Sequence, residues 1–238
     1  MKNRTGKFIL SAAVIMLMLS GCNAAKKTNK TQRGAAIGTA GGAVIGGIIG
    51  NNVGKGNTIL GAVIGGVVGG VAGGIIGNKM DRQAEKIKNE IPGAEVQRVG
   101  EGIIVTFNDK NPDGSKMGVY FEFDKSDITS NSKIALNKLV KIFDEYPETN
   151  ILVEGHTDSK GADGYNMALS EKRAMAVGSY LKGQGISSSR LTIKWYGEEQ
   201  AKTENESDAG RAENRRVEFG ITANEKMKAE AKKEAGSK

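Results

Sequence analysis

Histidine and cysteine each occur once in the 238 residues, at His156 and Cys22, and proline occurs three times. A lone cysteine rules out an internal disulfide framework, and one cysteine with one histidine cannot assemble a Cys/His zinc set or a multi-histidine metal centre. Ser159 and Ser170 lie near His156, but no Gly-x-Ser-x-Gly elbow accompanies them, so a serine-histidine-aspartate triad has no support. The glycine-rich segments also lack the Gly-Lys-Ser/Thr ending of a phosphate loop. No enzyme activity, metal or cofactor is therefore expected. Aromatic residues make up only 5% of the chain, and the formal charge of +7 shrinks once the leader is set aside: 34 basic residues less its three leave 31 against 27 acidic ones. Acid and base alternate along the C-terminal half without a basic stripe, which leaves nucleic-acid binding with little support.

The N-terminus is organised for export. Lys2, Arg4 and Lys7 form a basic region, Phe8 to Leu19 an apolar run, and Leu19-Ser20-Gly21-Cys22 closes it. This pattern predicts a lipoprotein signal peptide over residues 1–21. The apolar run, about a dozen residues, is too short to span a bilayer core of roughly 30 Å as a helix. Acyl chains on Cys22 would instead provide more than one lipid tail, enough for stable attachment. Residues 22–33, polar and lysine-bearing, read as a lipidated tether.

Glycine then dominates. Gly34, Gly38, Gly42, Gly46, Gly50 and Gly54 recur at every fourth position, and the pattern resumes from Gly61 to Gly77; Gly46-Gly47-Ile48-Ile49-Gly50-Asn51 returns as Gly73-Gly74-Ile75-Ile76-Gly77-Asn78, an offset of 27. Such spacing lines small residues along one helical face, the pattern of close helix packing in membranes. Each block could span ~30 Å at ~1.5 Å per residue. Helices so rich in glycine lose about 1 kcal/mol per glycine relative to alanine in water, so helicity needs lipid or tight self-packing. Residues 34–78 are expected to form a helical hairpin, turning at residues 51–57, that associates with a membrane or with other copies of the chain.

Beyond Pro92-Gly93 the periodicity changes. Val96 to Phe107 alternates as a hairpin would, Asn111-Pro112-Asp113-Gly114 is a turn, and Met117 to Phe123 reads as a strand. Helices are expected over 130–146 and 164–182, and strands over 150–157, 190–196 and 215–221. Alternating strand and helix over about 130 residues gives one α/β sandwich domain, from 91 to 223. The Lys/Glu/Ala-rich tail, 224–238, is expected to be a solvated helix or disordered.

The most informative segment is Glu154-Gly155-His156-Thr157-Asp158, followed by Asn166, Leu169-Ser170 and Arg173-Ala174. It places a carboxylate and a guanidinium on either side of a strand-to-helix junction, an arrangement that can hold a zwitterion. Arg173 shares a helical stripe with Leu169 and Val177, where a charge normally has a partner or a ligand. An internal Asp158–Arg173 ion pair is the competing expectation, and Arg215 and Arg216 are either contributors of positive potential or a solvated strand edge.

These residues, with Phe121-Glu122-Phe123-Asp124-Lys125-Ser126, Tyr196-Gly197-Glu198 and Gly210 to Glu218, resemble the OmpA-like peptidoglycan-binding domain found also in peptidoglycan-associated lipoproteins. Trp195 stands where a glycine is common in that family, and Ala201 near where a proline is usual. The resemblance implies that Asp158 and Arg173 grip the diaminopimelate of the peptidoglycan stem peptide, with Asn166, Thr157 and His156 beside them. It further implies an outer-membrane lipoprotein with its C-terminal domain in the periplasm, tying membrane to wall. Asn23, in place of an aspartate after Cys22, fits that destination. Residues 34–78 likewise resemble the glycine-zipper segment found before such domains, which leaves open the alternative of an oligomeric envelope scaffold whose C-terminal domain contacts partner proteins.

Overall fold

The computed structural model describes Val63, residues 68–109, Lys116 and residues 118–237. The signal peptide, Cys22, the tether, the first glycine block and its expected turn lie outside the described residues. The elements in chain order are α1 (Gly70–Glu90), β1 (Glu95–Val99), β2 (Gly102–Asn108), α2 (Ser130–Glu145), β3 (Thr149–Gly155), α3 (Asp163–Gly183), a short turn of 3-10 helix at Ser188–Arg190, β4 (Leu191–Trp195), α4 (Asp208–Asn214), β5 (Arg216–Ala223) and α5 (Glu225–Gly236). The strands form one sheet in the order β1-β2-β5-β3-β4, antiparallel except for the parallel pair β3/β4, whose connection carries α3.

Alternation decides which face of the sheet is covered. Ile103, Val105 and Phe107 of β2, Ile151 and Val153 of β3, and Val217, Phe219 and Ile221 of β5 point into one core, where Phe107 meets Phe219 edge to face at 5.8 Å. Helix α2 closes it with Leu136, Leu139, Val140, Ile142 and Phe143, and α3 with Val177 and Leu181. Each such fully buried side chain contributes roughly 1.5–3 kcal/mol. Thr129 caps α2, its hydroxyl accepting the Ser132 N–H at 3.1 Å. The opposite face carries a smaller cluster in which Val63 meets Val99, Ile104 and Leu152.

Three expectations change. Residues 118–123 form no strand, although Val119, Tyr120 and Phe121 are buried. The Ser132 hydroxyl accepts from the Tyr120 N–H at 3.0 Å and donates to its carbonyl at 2.8 Å, so a side chain satisfies the groups that a ladder would have used. Helix α1 runs without interruption through residue 78, and its Ile75, Ile76, Met80, Ala84 and Ile87 belong to the main core. The residues leading into it are held from a distance: the Glu101 carboxylate accepts from the N–H groups of Val68 and Gly69 at 2.8 and 2.9 Å, and a side chain at Gly73 would collide with it. The tail is neither solvated throughout nor disordered. Asn224 caps α5, and Met227 and Ala231 are buried in the same core as α1.

Candidate functional site

The end of β3 is where the sheet stops pairing with itself and begins to hold loops. The His156 N–H donates to the Arg216 carbonyl at 3.1 Å and the Thr157 N–H to the Gly197 carbonyl at 2.8 Å. Asp158 follows, and its two oxygens are both used: Oδ1 accepts the Lys160 N–H at 3.0 Å, and Oδ2 pairs with Nη1 of Arg215 at 2.5 Å. Arg215 reaches the other way with Nε and Nη2 to Oδ2 of Asp109, at 3.0 and 2.8 Å. Two carboxylates thus share one guanidinium, and they lift its proton affinity against the opposing effect of burial.

Arg173 lies on α3, two turns beyond Asn166. Its side chain is buried, yet its partners are peptide carbonyls, with Nε donating to Lys125 at 2.9 Å and Nη2 to Glu122 at 3.4 Å, while Phe121 packs beneath it at 5.1 Å. No carboxylate of the described residues comes within 4.0 Å of it, and the ion pair with Asp158 that was the competing expectation does not form; Arg215 takes that place. Burial lowers the Arg173 proton affinity, partly offset by Asp109. Asp158, Arg173, Asn166, Thr157 and His156 all line one cleft of about 600 Å³, together with Asp109, Asp124, Tyr165 and Arg215.

Asn166 and His156 have work inside the fold as well. The Asn166 amide donates to Oε2 of Glu198 at 2.5 Å, and the Ser170 hydroxyl accepts the Gly197 N–H at 2.8 Å, so α3 fixes the Tyr196-Gly197-Glu198 loop despite Trp195 and Ala201. His156 stacks on Tyr196 with ring centroids 5.6 Å apart. Its Nε2 lies 3.7 Å from both Glu154 and Glu218, which face each other on β3 and β5. Burial first, and the Arg216 guanidinium second, keep the imidazole well below its ordinary titration range and hence neutral. Glu154, His156 and Glu218 have the donor types and closeness for a cation, their ligand atoms lying within 4.8 Å of one another. Arg216, with Nε 3.1 Å from Glu218, already supplies positive charge there, so the group makes better sense as the polar floor of the cleft.

Sequence reasoning missed Asp109 altogether and left Arg215 ambiguous. The available signal was Arg215-Arg216 at the start of a buried strand: side chains alternate there, so one arginine must face inward and the other the strand-end loops. The mouth of the cleft was also unforeseen. Asp124 adopts a left-handed conformation at φ 58°, accepts a hydrogen bond from the Tyr165 hydroxyl, and leaves Phe123 94% exposed beside the cleft.

Residues 120–215 match the OmpA family, and residues 1–81 the YMGG-like Gly-zipper family. Outer membrane porin F of Pseudomonas fluorescens is 44% identical over 108 residues, covering 45% of this chain and 33% of the porin. The peptidoglycan-associated lipoprotein of Haemophilus influenzae is 40% identical over 99 residues, covering 42% of this chain and 65% of that protein. The chain thus spans a third of the length of the first relative and just under two thirds of the second. A MotB-like protein from Desulfovibrio vulgaris shares the fold, with a TM-score of 0.53 at 24% identity over 63% of this chain and 94% of that one. The cleft at the end of β3 and the helices that frame it therefore belong to an OmpA-family domain, carried by this chain behind a YMGG-like Gly-zipper segment.

Proposed function

We propose that the chain is an outer-membrane lipoprotein, acylated at Cys22, whose C-terminal domain binds peptidoglycan non-covalently and ties membrane to wall. A relative 40% identical over the domain is named for its association with peptidoglycan. The observation that carries the reading is the charge arrangement of the cleft. Asp109, Arg215 and Asp158 together bear one net negative charge, and Arg173 bears a positive charge that no carboxylate of the described residues contacts. A zwitterion complements both at once. The free end of diaminopimelate presents an ammonium to the carboxylates and a carboxylate to the arginine, in charge-assisted bonds roughly twice as strong as neutral ones. His156 and Thr157 form the floor, and Asn166 holds the loop that closes the side.

The test is co-sedimentation of the full chain, in detergent, with isolated sacculi. Pelleting is expected, and free diaminopimelate is expected to compete it away. A chain that stays in the supernatant, or pellets regardless of added diaminopimelate, refutes the reading.

A further inference from the structure

We infer that the sheet face away from the main core, with the β1–β2 hairpin beside it, is the receptor for the second glycine block of the same chain. The block is thereby built into the domain and withheld from the membrane and from other copies. This surface lies apart from the cleft, and the inference does not depend on what the cleft binds. It starts from a hollow. Ile104 of β2 and Leu152 of β3 both stand in register with Gly220 of β5, which has no side chain to fill the space between them, while Val99 lies beside them on β1. The side chain that meets Val99, Ile104 and Leu152 is Val63, and it is 1% exposed. Its seat requires a second glycine: a Cβ at Gly102 would lie 2.3 Å from Cγ1 of Val63.

Polar groups of the hairpin hold the residues that follow. The Glu101 carboxylate accepts the N–H groups of Val68 and Gly69 at 2.8 and 2.9 Å, so it supplies negative charge and acceptors where α1 begins and its own backbone has none to offer. Arg98 pairs with Asp81 at 2.8 Å, and its Nη2 donates to the Gly77 carbonyl at 3.5 Å while Nη1 donates to the carbonyl of Gly102. Gly73 faces the same carboxylate so closely that a Cβ would lie 2.4 Å from Oε1 of Glu101. Glycines spaced by four admit a close neighbour, and at Gly73 that neighbour is the hairpin instead of a second glycine helix. A helix this rich in glycine needs tight packing to persist, which the domain itself supplies here. The first block, 34–54, is left to meet lipid or another copy.

The test is cysteine trapping in membranes that carry the full chain. A Cβ at position 102 would lie 3.3 Å from that of Val63, close to the roughly 3.5–4.5 Å found across a disulfide. Val63→Cys with Gly102→Cys is one pair, and Val63→Cys with Leu152→Cys, which keeps the glycine, is the second. Copper phenanthroline serves as the oxidant, and the unmutated chain accounts for any disulfide through Cys22. Closure within one chain is expected, seen as a shift of the monomer on a non-reducing gel. Val63→Cys alone is expected to give no dimer and to escape a maleimide confined to the bilayer by an acyl chain. A dimer through that cysteine assigns the block to contact between copies, and labelling by the lipid-borne maleimide assigns it to the membrane; either overturns the inference. So does failure of both pairs to close in proteins that melt as the parent does.

Discussion

Single residues in this cleft answer to different partners, and mutation separates them. Because Asp158 contacts Arg215 while Arg173 contacts the carbonyls of Glu122 and Lys125, the two residues are not each other's support. Asp158→Ala and Arg173→Ala should each lower sacculus binding by about 2–5 kcal/mol, as truncating one side of a buried charged contact does. Their stability effects should add to within about 0.5 kcal/mol, whereas a direct ion pair would couple by about 0.5–3; urea melts of the two single mutants and the double mutant measure this. His156 gives a pH dependence whose sign follows from its depressed titration. The unfolded chain takes up a proton near the ordinary histidine value of about 6.5, while the folded protein, which buries the ring and holds Arg216 close by, resists it. The contribution is whole above that value, and stability falls as the pH drops below it, by up to about 1.4 kcal/mol per pH unit until the folded form also titrates. His156→Gln should flatten that part of a melting-temperature profile between pH 7 and 5. That Asp158, Arg173 and Asn166 share one cleft was legible from spacing and resemblance. Asp109 was not, because its bond to Arg215 joins residues 106 apart and neither side chain breaks a local pattern.

Elements carry the site only where they approach closely. Gly155 ends β3 against α3: a Cβ there would lie 2.5 Å from the Ser170 carbonyl and 3.2 Å from the Cβ of Ala174. Gly155→Ala must push α3 outward and take Arg173 and Asn166 with it. A destabilisation of about 1–3 kcal/mol is expected, with loss of sacculus binding, measurable by melts and pelleting together. The sequence located α2 by its apolar period and β2 and β3 by short apolar runs, while α3, whose buried face carries Asn166, Ser170 and Arg173, was placed by the spacing of Leu169, Val177 and Leu181. The expected strand from Met117 to Phe123 misled because its residue types suit a strand; Val119, Tyr120 and Phe121 are buried, but Ser132 rather than a neighbouring strand receives the backbone of Tyr120. Helix α5 was read as solvated or disordered since its core contacts come from Met227, Ala231 and Ala235, scattered among lysines and glutamates. The seven residues of α4 were too few to show a period at all.

The whole molecule, on the proposed reading, is a link with a lipid at one end and the wall at the other. Cys22→Ala should block acylation, since the thiol is the acceptor; incorporation of labelled fatty acid into the mutant would show another anchor. Between these ends lies α1. The helix is seated by Ile76, Met80 and Ile87 in the same core that supports β3 and α3, and its start is gripped by Glu101. It is not a leash joined to a finished domain but one of the domain's walls. Tension applied from the membrane would therefore enter the protein along α1. To lengthen there, the protein must pull a helix out of its own core, so force on the envelope meets a stiff stop before it reaches the ligand.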